Sequence, residues 1–173
     1  ATLRRDPEIG AISGIAIHER KWLYVSDLPN TRVLRLPLGG GEWSAFGRRG
    51  EGPGEFTVPQ QLATTASGDI IAYDPAQTRL SHFGPTGVLR VASRLPFPIT
   101  YVKGLLADGN HAYISGVSSA GPASQHILHK VSLQGEHVRS FGAPSTDLPA
   151  GFERLIADAG PLVWGPERKS IWL

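Results

Sequence analysis

The stretch Asp27-Leu-Pro-Asn30-Thr-Arg32-Val-Leu-Arg-Leu36 recurs, with changes, as Asp74-Pro-Ala-Gln77-Thr-Arg79-Leu-Ser-His-Phe83. The offset between the two copies is 74 − 27 = 47 residues, and the two arginines keep it. A fixed period of this length indicates one supersecondary unit copied along the chain. An apolar run rich in β-branched and aromatic residues precedes each motif, and an alternating polar and apolar run follows it, so each copy is predicted to consist of strands joined by tight turns.

Each copy is predicted to hold four antiparallel strands. The copies span about residues 14–46, 61–92 and 103–141, with a truncated fourth at 161–173. A twisted four-stranded sheet has two partly apolar faces and buries them by stacking on its neighbours, as the blades of a β-propeller do around a channel. We therefore expect a single all-β domain over residues 1–173, an incomplete β-propeller of about three four-stranded antiparallel blades and part of a fourth.

Three blades and a fraction do not close a ring, because propellers have about four blades or more. Either further blades lie beyond residue 173, or two chains pair their partial rings. The strand-like run that stops at Leu173 favours the first. The chain also contains no methionine, so we expect a processed or excised piece of a longer protein.

Composition excludes several classes of protein and of site. Gly (21) and Pro (14) punctuate many short apolar runs, which is typical of all-β proteins. A net charge of +2 gives no electrostatic case for nucleic acid or an anionic membrane. No apolar run approaches the roughly 18 residues of a membrane helix, so we expect no membrane insertion. The absence of cysteine excludes disulfides, a thiolate nucleophile and a cysteine-based zinc site.

The motif resembles the NHL repeat. The resemblance lies in the apolar run Trp22-Leu-Tyr-Val25 followed by Asp27-x-x-Asn30-x-Arg32, and in Gly52-Pro-Gly-Glu-Phe-x-x-Pro59 before the next copy. It covers about residues 14–92. The third copy departs from the pattern, with Ser115-Gly116 in place of the aspartate and no matching arginine. The resemblance implies a six-bladed propeller of the kind found in bacterial envelope and secreted proteins, and a periplasmic or secreted location, but it leaves activity open.

The repeated polar residues are predicted to shape the turns. This structural set comprises Asp27, Asn30, Arg32, Asp74, Gln77 and Arg79. An aspartate at such a position accepts hydrogen bonds from amides two or three residues on, and the arginine five residues later can pair with it across the turn. A feature copied in each blade is typical of scaffold, since a site needs asymmetry.

The run 47–55 is rich in glycine but has neither the Gly-Lys-Ser/Thr ending nor a following helix, so it does not match a phosphate-binding fingerprint. Its glycines are predicted to supply positive φ where the chain passes from one blade to the next, with Arg48 and Arg49 exposed. Turns between second and third strands lie at the same end of the blades as these passages. One rim should therefore carry residues 27–31, 47–59, 74–78, 96–102, 115–124 and 142–154.

No catalytic or metal-binding signature is present. His126 and His129 are three apart, which on a strand puts them on opposite faces. Ser118 in Gly116-Val-Ser118-Ser-Ala-Gly121 only superficially resembles a nucleophile elbow, because a strand and a loop surround it. We therefore predict no catalytic residues, no metal ligands and no cofactor within this chain.

Function is predicted to reside in rim loops on a rigid scaffold. The leading hypothesis is a non-enzymatic module that binds a protein, peptide or glycan through Arg48, Arg49, Glu51 and Tyr101, the last in a loop at the channel mouth. The alternative is a metal-dependent lyase or lactonase, in which a divalent ion held partly by blades outside this chain would polarise a carbonyl or activate water. A purely structural role within an envelope protein is the third hypothesis.

Overall fold

A computed structural model describes residues 7–118, 120–124, 126–142, 162–164 and 171–172, and it contains fourteen strands in this part. The first four are β1 (Ile12–His18), β2 (Trp22–Asp27), β3 (Arg32–Pro37) and β4 (Ser44–Phe46). The next four are β5 (Gln61–Thr64), β6 (Ile70–Asp74), β7 (Arg79–Phe83) and β8 (Leu89–Arg94). The third group is β9 (Thr100–Ala107), β10 (His111–Val117), β11 (Leu128–Ser132) and β12 (His137–Phe141), with a short 3-10 helix at Gly121–Ala123. A pair of short strands, β13 (Val163–Trp164) and β14 (Ile171–Trp172), follows.

Each group of four forms one antiparallel meander, and we call the three meanders sheets 1, 2 and 3. The strand order within each sheet follows the chain, so every connection inside a sheet joins two neighbouring antiparallel strands. The strands β13 and β14 pair with each other only, within the part of the fourth copy that is described. The fourth copy otherwise lies outside the described residues, as does most of the predicted rim loop 142–154.

The sheets stack face to face, with β1, β5 and β9 side by side as the innermost strands. Gly14 shows how close this approach is, because a Cβ atom there would lie 2.5 Å from the carbonyl oxygen of Gln60. Gly104 holds the same position in sheet 3, where a Cβ atom would lie 2.5 Å from the amide nitrogen of Leu162. Glycine is required at both positions because the neighbouring backbone leaves no room for a side chain.

Two apolar cores lie between the sheets. The core between sheets 1 and 2 is built from Tyr24, Val33, Phe56, Leu62, Ile70, Ala72 and Phe83. The core between sheets 2 and 3 includes Ile71, Tyr73, Leu80, Phe97, Ile99, Leu105, Ile114 and Val131. Neighbouring residues of β6 alternate between the two cores, as the period of two along a strand requires, so sheet 2 is buried on both faces.

The connections segregate to two ends. The turns β2–β3, β6–β7 and β10–β11 lie at the same end as the segments that lead from an outer strand to the next inner strand. We call this end the rim and these segments crossings. The described crossings are residues 47–60 into sheet 2 and residues 95–99 into sheet 3, and we count with them residues 7–11, which lead into sheet 1 at the same end.

Two predicted loop boundaries on the rim were wrong: β10 runs through Val117 where a loop from Ser115 was predicted, and β9 begins inside the predicted loop 96–102. Tyr101 was expected in a loop over residues 96–102, but β9 begins at Thr100 and contains it. The strand can extend this far because of a bulge in β9: residues 101–103 lie opposite Gly116 alone, and Thr100 then pairs with Val117 of β10. A bulge adds a residue to one strand without ending the ladder, and the sequence carries no separate signal for it.

Candidate functional site: the crossings and their clamps

Asp27 holds the crossing into sheet 1. Its buried carboxylate accepts a hydrogen bond from the Gly10 amide at 3.1 Å and one from the Asn30 side chain at 2.8 Å. Arg32 donates to the same carboxylate at 3.0 Å and to the Glu8 carbonyl at 2.6 Å. Burial alone would raise the pKa of Asp27, but Asn30, the Gly10 amide and Arg32 outweigh it and hold the pKa below its usual range. The Asp–Arg pair therefore binds its own turn to the incoming chain.

Asp74 binds its own turn, β6–β7, to the crossing 47–60, as Asp27 binds its turn to residues 7–11, but it uses different partners. One carboxylate oxygen accepts from the turn amides of Ala76 and Gln77, at 3.0 and 3.3 Å. The other accepts from the crossing amides of Thr57 and Val58, at 2.7 and 2.9 Å. One fully buried carboxylate thus joins the β6–β7 turn to the end of the crossing.

Gln77 and Arg79 bind the same crossing at further points. We call the hydrogen bonds that Asp74, Gln77 and Arg79 make to the crossing the polar clamp. The Gln77 side-chain amide donates to the Gly50 carbonyl and to the Thr57 hydroxyl, both at 2.9 Å. The Arg79 guanidinium donates to the carbonyls of Glu51 and Gly52, both at 2.7 Å. Arg79 therefore binds the crossing backbone, whereas the sequence suggested a pair with Asp74 like the one that Arg32 makes with Asp27.

The crossing 47–60 is also tied to itself. Glu55 accepts from the Gly52 amide at 2.9 Å and from Arg48 at 2.8 Å, and these two donors lower the pKa of Glu55. Gly47 and Gly54 have φ of +77° and +78°, so the glycines do supply the predicted left-handed turns. The result is a loop whose backbone is fixed from within and from sheet 2.

This fixed loop presents two charged side chains. Arg49 and Glu51 are exposed, and neither side chain has a hydrogen bond or ion pair to any part of the chain that the structure describes. Arg48 is also 80% exposed, but its guanidinium is held by Glu55. The three charges predicted here therefore differ: Arg48 supports the loop, while Arg49 and Glu51 point their charges outward from it.

Sheet 3 replaces the polar clamp with an apolar one. Ser115 pairs with Gly104 in sheet 3 as Ser26 pairs with Gly14 in sheet 1. The next residue, Gly116, therefore occupies the position that Asp27 holds in sheet 1. A Cβ atom at Gly116 would lie 2.6 Å from Ile99 Cγ2 and 2.8 Å from the Thr100 carbonyl oxygen. The crossing 95–99 therefore packs directly against the bare backbone of β10.

Tyr73 satisfies the backbone amide and carbonyl of Ile99 in this apolar crossing. Its hydroxyl donates to the Ile99 carbonyl at 3.0 Å and accepts from the Ile99 amide at 3.2 Å. Burial raises the pKa of Tyr73 to about 12. Every second residue of the crossing, Leu95, Phe97 and Ile99, is buried. This crossing is held by packing and by one phenol, with no ion pair among its described residues.

Tyr101 follows this crossing directly. Its side chain is 52% exposed, and its backbone has φ of +51°, a left-handed conformation that non-glycine residues seldom adopt. Such outliers persist only where the surrounding structure enforces them. Tyr101 lies in the bulged part of β9, between the buried Ile99 and the buried Val102, and these neighbours provide that constraint.

His129 and Ser118 both bond to groups of the surrounding chain. The fully buried His129 contacts the Gly116 carbonyl through Nε2 at 3.2 Å and the Ser140 hydroxyl through Nδ1 at 3.0 Å. Burial lowers the pKa of His129 to about 4, with His126 and His137 adding to the effect. The Ser118 hydroxyl bonds to the backbone of Ala120 in a local turn.

No group of three or more His, Asp or Glu side chains among the described residues converges to hold a metal ion. Within the same residues, no helix has the length and apolar character needed to cross a bilayer.

The link between the two motifs is visible only in the structure. There Gln77 and Arg79 bind the backbone at the start of the Gly-Pro-Gly-Glu-Phe run and just before it. The sequence does carry one sign of this link, because the two motifs occur together. A long glycine-rich crossing precedes the copy with Gln77 and Arg79, and a short apolar crossing precedes the copy that lacks both residues.

Comparison with known proteins identifies the fold. No protein-family model matches the sequence, and neither does any curated protein. Among solved structures, a protein of Bacteroides fragilis described as exported matches with a TM-score of 0.64 and 16% identity, over 82% of this chain and 40% of its own. A chain of a nidogen/laminin complex matches with a TM-score of 0.62 and 17% identity, over 89% of this chain and 52% of its own.

Streptogramin B lyase matches with a TM-score of 0.62 and 13% identity, over 93% of this chain and 47% of its own. The chain thus spans about half, or less, of the length of these neighbours. Identities this low establish architecture and leave activity open. The predicted all-β architecture of four-stranded antiparallel blades is confirmed, and this chain has the fold of a β-propeller.

Proposed function

We propose that this chain is a non-enzymatic propeller module that binds a protein, a peptide or a glycan through its rim. The observation that carries the proposal is the rigid crossing 47–60, which displays the unpartnered charges of Arg49 and Glu51. A crossing needs no such length, because residues 95–99 cover the same step between sheets with a few residues and apolar packing. Loops fixed on a rigid scaffold are where binding residues concentrate in such folds.

The crossing loop is preorganised for binding. Asp74, Gln77 and Arg79 hold its backbone, so a ligand that contacts Arg49 and Glu51 would not have to order the loop first. Ordering each flexible side chain or loop residue on association costs roughly 0.5–1.5 kcal/mol. Tyr101 offers an exposed aromatic ring at the next crossing, and aromatic rings are enriched where proteins bind proteins. We assign Arg49, Glu51 and Tyr101 to ligand contact and Arg48 to loop support.

We also assign the blades to the NHL-like type of six-bladed bacterial propellers, on the two motifs that resemble that repeat. A periplasmic or secreted location follows from the same resemblance. The Bacteroides fragilis neighbour, itself described as exported, is consistent with this location.

The experiment is a binding screen with matched variants. The protein is screened against a displayed random-peptide library and an immobilised glycan array, and each binder is then titrated against Arg49→Ala/Glu51→Ala and against Tyr101→Ala. We expect at least about a tenfold loss of affinity with an unchanged Tm, corresponding to roughly 1.4 kcal/mol. Arg20→Ala, in the β1–β2 turn at the opposite end of sheet 1, is the control and should bind normally. Binders that tolerate every rim substitution, or rim variants that unfold, would contradict the assignment.

The competing function is a metal-dependent propeller lyase or lactonase. The similarity to streptogramin B lyase shows only that the fold can host such chemistry. Under this alternative, a divalent ion would be held jointly with residues outside this chain. Metal analysis of the longest natural polypeptide that contains these residues separates the two, because a stoichiometric divalent ion would favour the enzyme.

A further inference from the structure

The backbone of Arg49 is fixed on both sides by one core residue. The carbonyl of Arg48, just before it, accepts a hydrogen bond from the Phe56 amide at 2.8 Å, and the amide of Gly50, just after it, donates to the Phe56 carbonyl at 3.1 Å. The Phe56 ring is fully buried in the core between sheets 1 and 2. The exposed Arg49 side chain therefore starts from a backbone that is tied to the core.

The backbone of Glu51 is fixed by sheet 2. Its carbonyl accepts from the Arg79 guanidinium at 2.7 Å, and the carbonyl of Gly50 before it accepts from the Gln77 side chain at 2.9 Å. The Glu51 side chain is exposed. Two charges of opposite sign, two residues apart, are thus presented by one fixed stretch of backbone.

These two charges do not pair with each other. Within the part of the chain that the structure describes, no ion pair or hydrogen bond joins the Arg49 guanidinium to the Glu51 carboxylate. The β1–β2 turn gives a contrast, because Glu19 and Lys21 are also exposed and two residues apart, and they pair at 2.9 Å. Each charge of Arg49 and Glu51 is therefore available to a group from outside the chain.

A ligand that uses both charges must itself carry both signs. Phosphates, nucleic acids and acidic glycans are attracted by Arg49 but repelled by Glu51, and neutral glycans engage neither charge. Peptides supply a carboxylate and an ammonium or guanidinium group on nearby side chains. A carboxylate also matches the planar fork of an arginine side chain, with which it can form two parallel hydrogen bonds.

We propose that the rim binds a peptide segment that carries a carboxylate and a cationic side chain a few residues apart, with the carboxylate on Arg49 and the cation on Glu51. The inference rests on the proposed rim function and narrows its ligand from a protein, peptide or glycan to a polypeptide segment with both charges. Because the loop is fixed before binding, a peptide with its charges in one order should bind better than the same peptide with the two charges exchanged.

The first test uses an array of synthetic peptides in which one glutamate and one lysine stand a few residues apart, in both orders, on a randomised uncharged background. We expect the best binders to weaken at least about tenfold when their glutamate is changed to glutamine or their lysine to norleucine. These changes leave the protein untouched, so the result does not depend on how well a variant folds. Best binders that need only one of the two charges, or neither, would overturn the proposal.

The second test exchanges the charges on the protein. Arg49→Glu/Glu51→Arg should prefer the order of peptide charges that the natural protein disfavours. The matched control is Glu19→Lys/Lys21→Glu, which also exchanges two opposite charges at constant net charge, but in the turn at the other end of sheet 1. The control should keep the original preference. A folded rim variant with the original preference would overturn the proposal.

A double-mutant cycle assigns each contact. Arg49→Ala is combined with the glutamate-to-glutamine change in the peptide, and Glu51→Ala with the lysine-to-norleucine change. Once one member of a pair is changed, changing the other should weaken binding by less than about twofold, because the contact is already lost. Losses that multiply fully in both pairs would overturn the assignment.

Further probes separate this inference from the rim function on which it rests. Glycans or purely acidic peptides that bind and lose affinity in Arg49→Ala/Glu51→Ala would overturn the doubly charged peptide and leave the rim function standing. Binders that tolerate every rim substitution would overturn both. Phosphatidylcholine vesicles carry a phosphate and an ammonium group on each lipid. If the protein sediments with them and Arg49→Ala/Glu51→Ala does not, the two charges bind a lipid headgroup and the peptide is overturned.

Discussion

Replacing Asp74 by asparagine tests whether the β6–β7 turn is built to hold the crossing. The carboxylate accepts two hydrogen bonds from its own turn and two from the crossing amides of Thr57 and Val58. Asparagine has the same shape but only one acceptor oxygen. Because asparagine suits turns of this kind, its oxygen should stay with the turn and its NH₂ group should face the two crossing amides.

The expected loss follows from two donors left without an acceptor. An unsatisfied buried amide costs roughly 1–3 kcal/mol. Thr57 is an exposed residue, so its amide can reach water after a small opening, which puts the total near the lower end. We expect Asp74→Asn to reduce the free energy of unfolding by about 2 kcal/mol, or to lower Tm by about 6 °C for a domain of this size. Asp74→Ala removes both acceptor oxygens, and with them all four hydrogen bonds, and should cost about twice as much.

The assay is urea unfolding with two spectroscopic probes, supported by limited trypsin digestion. The control is Asp108→Asn. Asp108 also accepts from amides two and three residues on, at 2.9 and 2.8 Å, but its other oxygen accepts from the Tyr113 hydroxyl, which can reorient. The control should lose less than about 0.5 kcal/mol. Trypsin should cut faster after Arg48 and Arg49 in Asp74→Asn only. Equal stability of the two variants, with unchanged digestion, would refute the clamp.

Three further predictions concern sheet 3 and its crossing. Gly116→Asp restores the motif aspartate but should cost at least about 2 kcal/mol, because a Cβ atom would lie 2.6 Å from Ile99 Cγ2; a stable variant in thermal unfolding would show that the crossing is not packed on this glycine. Tyr73→Phe should lower the free energy of unfolding by about 2 kcal/mol, because it leaves the amide and the carbonyl of Ile99 without a partner. Tyr24→Phe loses only a 3.3 Å hydrogen bond to the Pro85 carbonyl and should lower it by less than about 1 kcal/mol. The pKa of His129 is lowered to about 4, so the folded state binds fewer protons than the unfolded one, and stability should fall as pH drops from about 6.5 to about 4 by roughly 3 kcal/mol. His129→Gln should remove that component of the pH dependence, and identical pH profiles of the two proteins in urea unfolding would contradict it.

Strand positions in the first two copies could be predicted because local signals agreed. The observed β2 (Trp22–Asp27) and β6 (Ile70–Asp74) each end on the aspartate that opens the turn, and the period of two marks their faces. In the third copy, β9 begins before Val102 and β10 extends past Ser115. Those two errors have one cause, since both strands run on past a bulge in which residues 101–103 of β9 lie opposite Gly116 alone.

The site was harder to predict than the fold. Exposure of Arg49 and Glu51 follows from their place in a glycine-rich loop, but the partner of Arg48 could not be read from the sequence. Glu51 and Glu55 are both within reach of Arg48 along the chain, and only the loop's three-dimensional path selects Glu55 at 2.8 Å. The role of Arg79 was likewise undetermined, because the same motif position pairs with aspartate in sheet 1 and with carbonyls in sheet 2.

The three crossings show how one structural task can be met by different chemistry. Sheet 1 uses an ion pair, sheet 2 a carboxylate with an amide and a guanidinium, and sheet 3 a bare glycine with a buried phenol. Buried polar clamps are costly when incomplete, so a copy that lost its aspartate would retain its crossing only if apolar packing replaced the whole network. Sheet 3 has done so with Phe97 and Ile99, and its crossing is short and flush with the sheet. In the crossing 47–60, Phe56 anchors the loop in the core, and the polar clamp holds the rest of it by binding backbone groups at several points. The presence of Gln77 and Arg79 beside a long crossing is thus the physical reason for placing ligand recognition at Arg49 and Glu51.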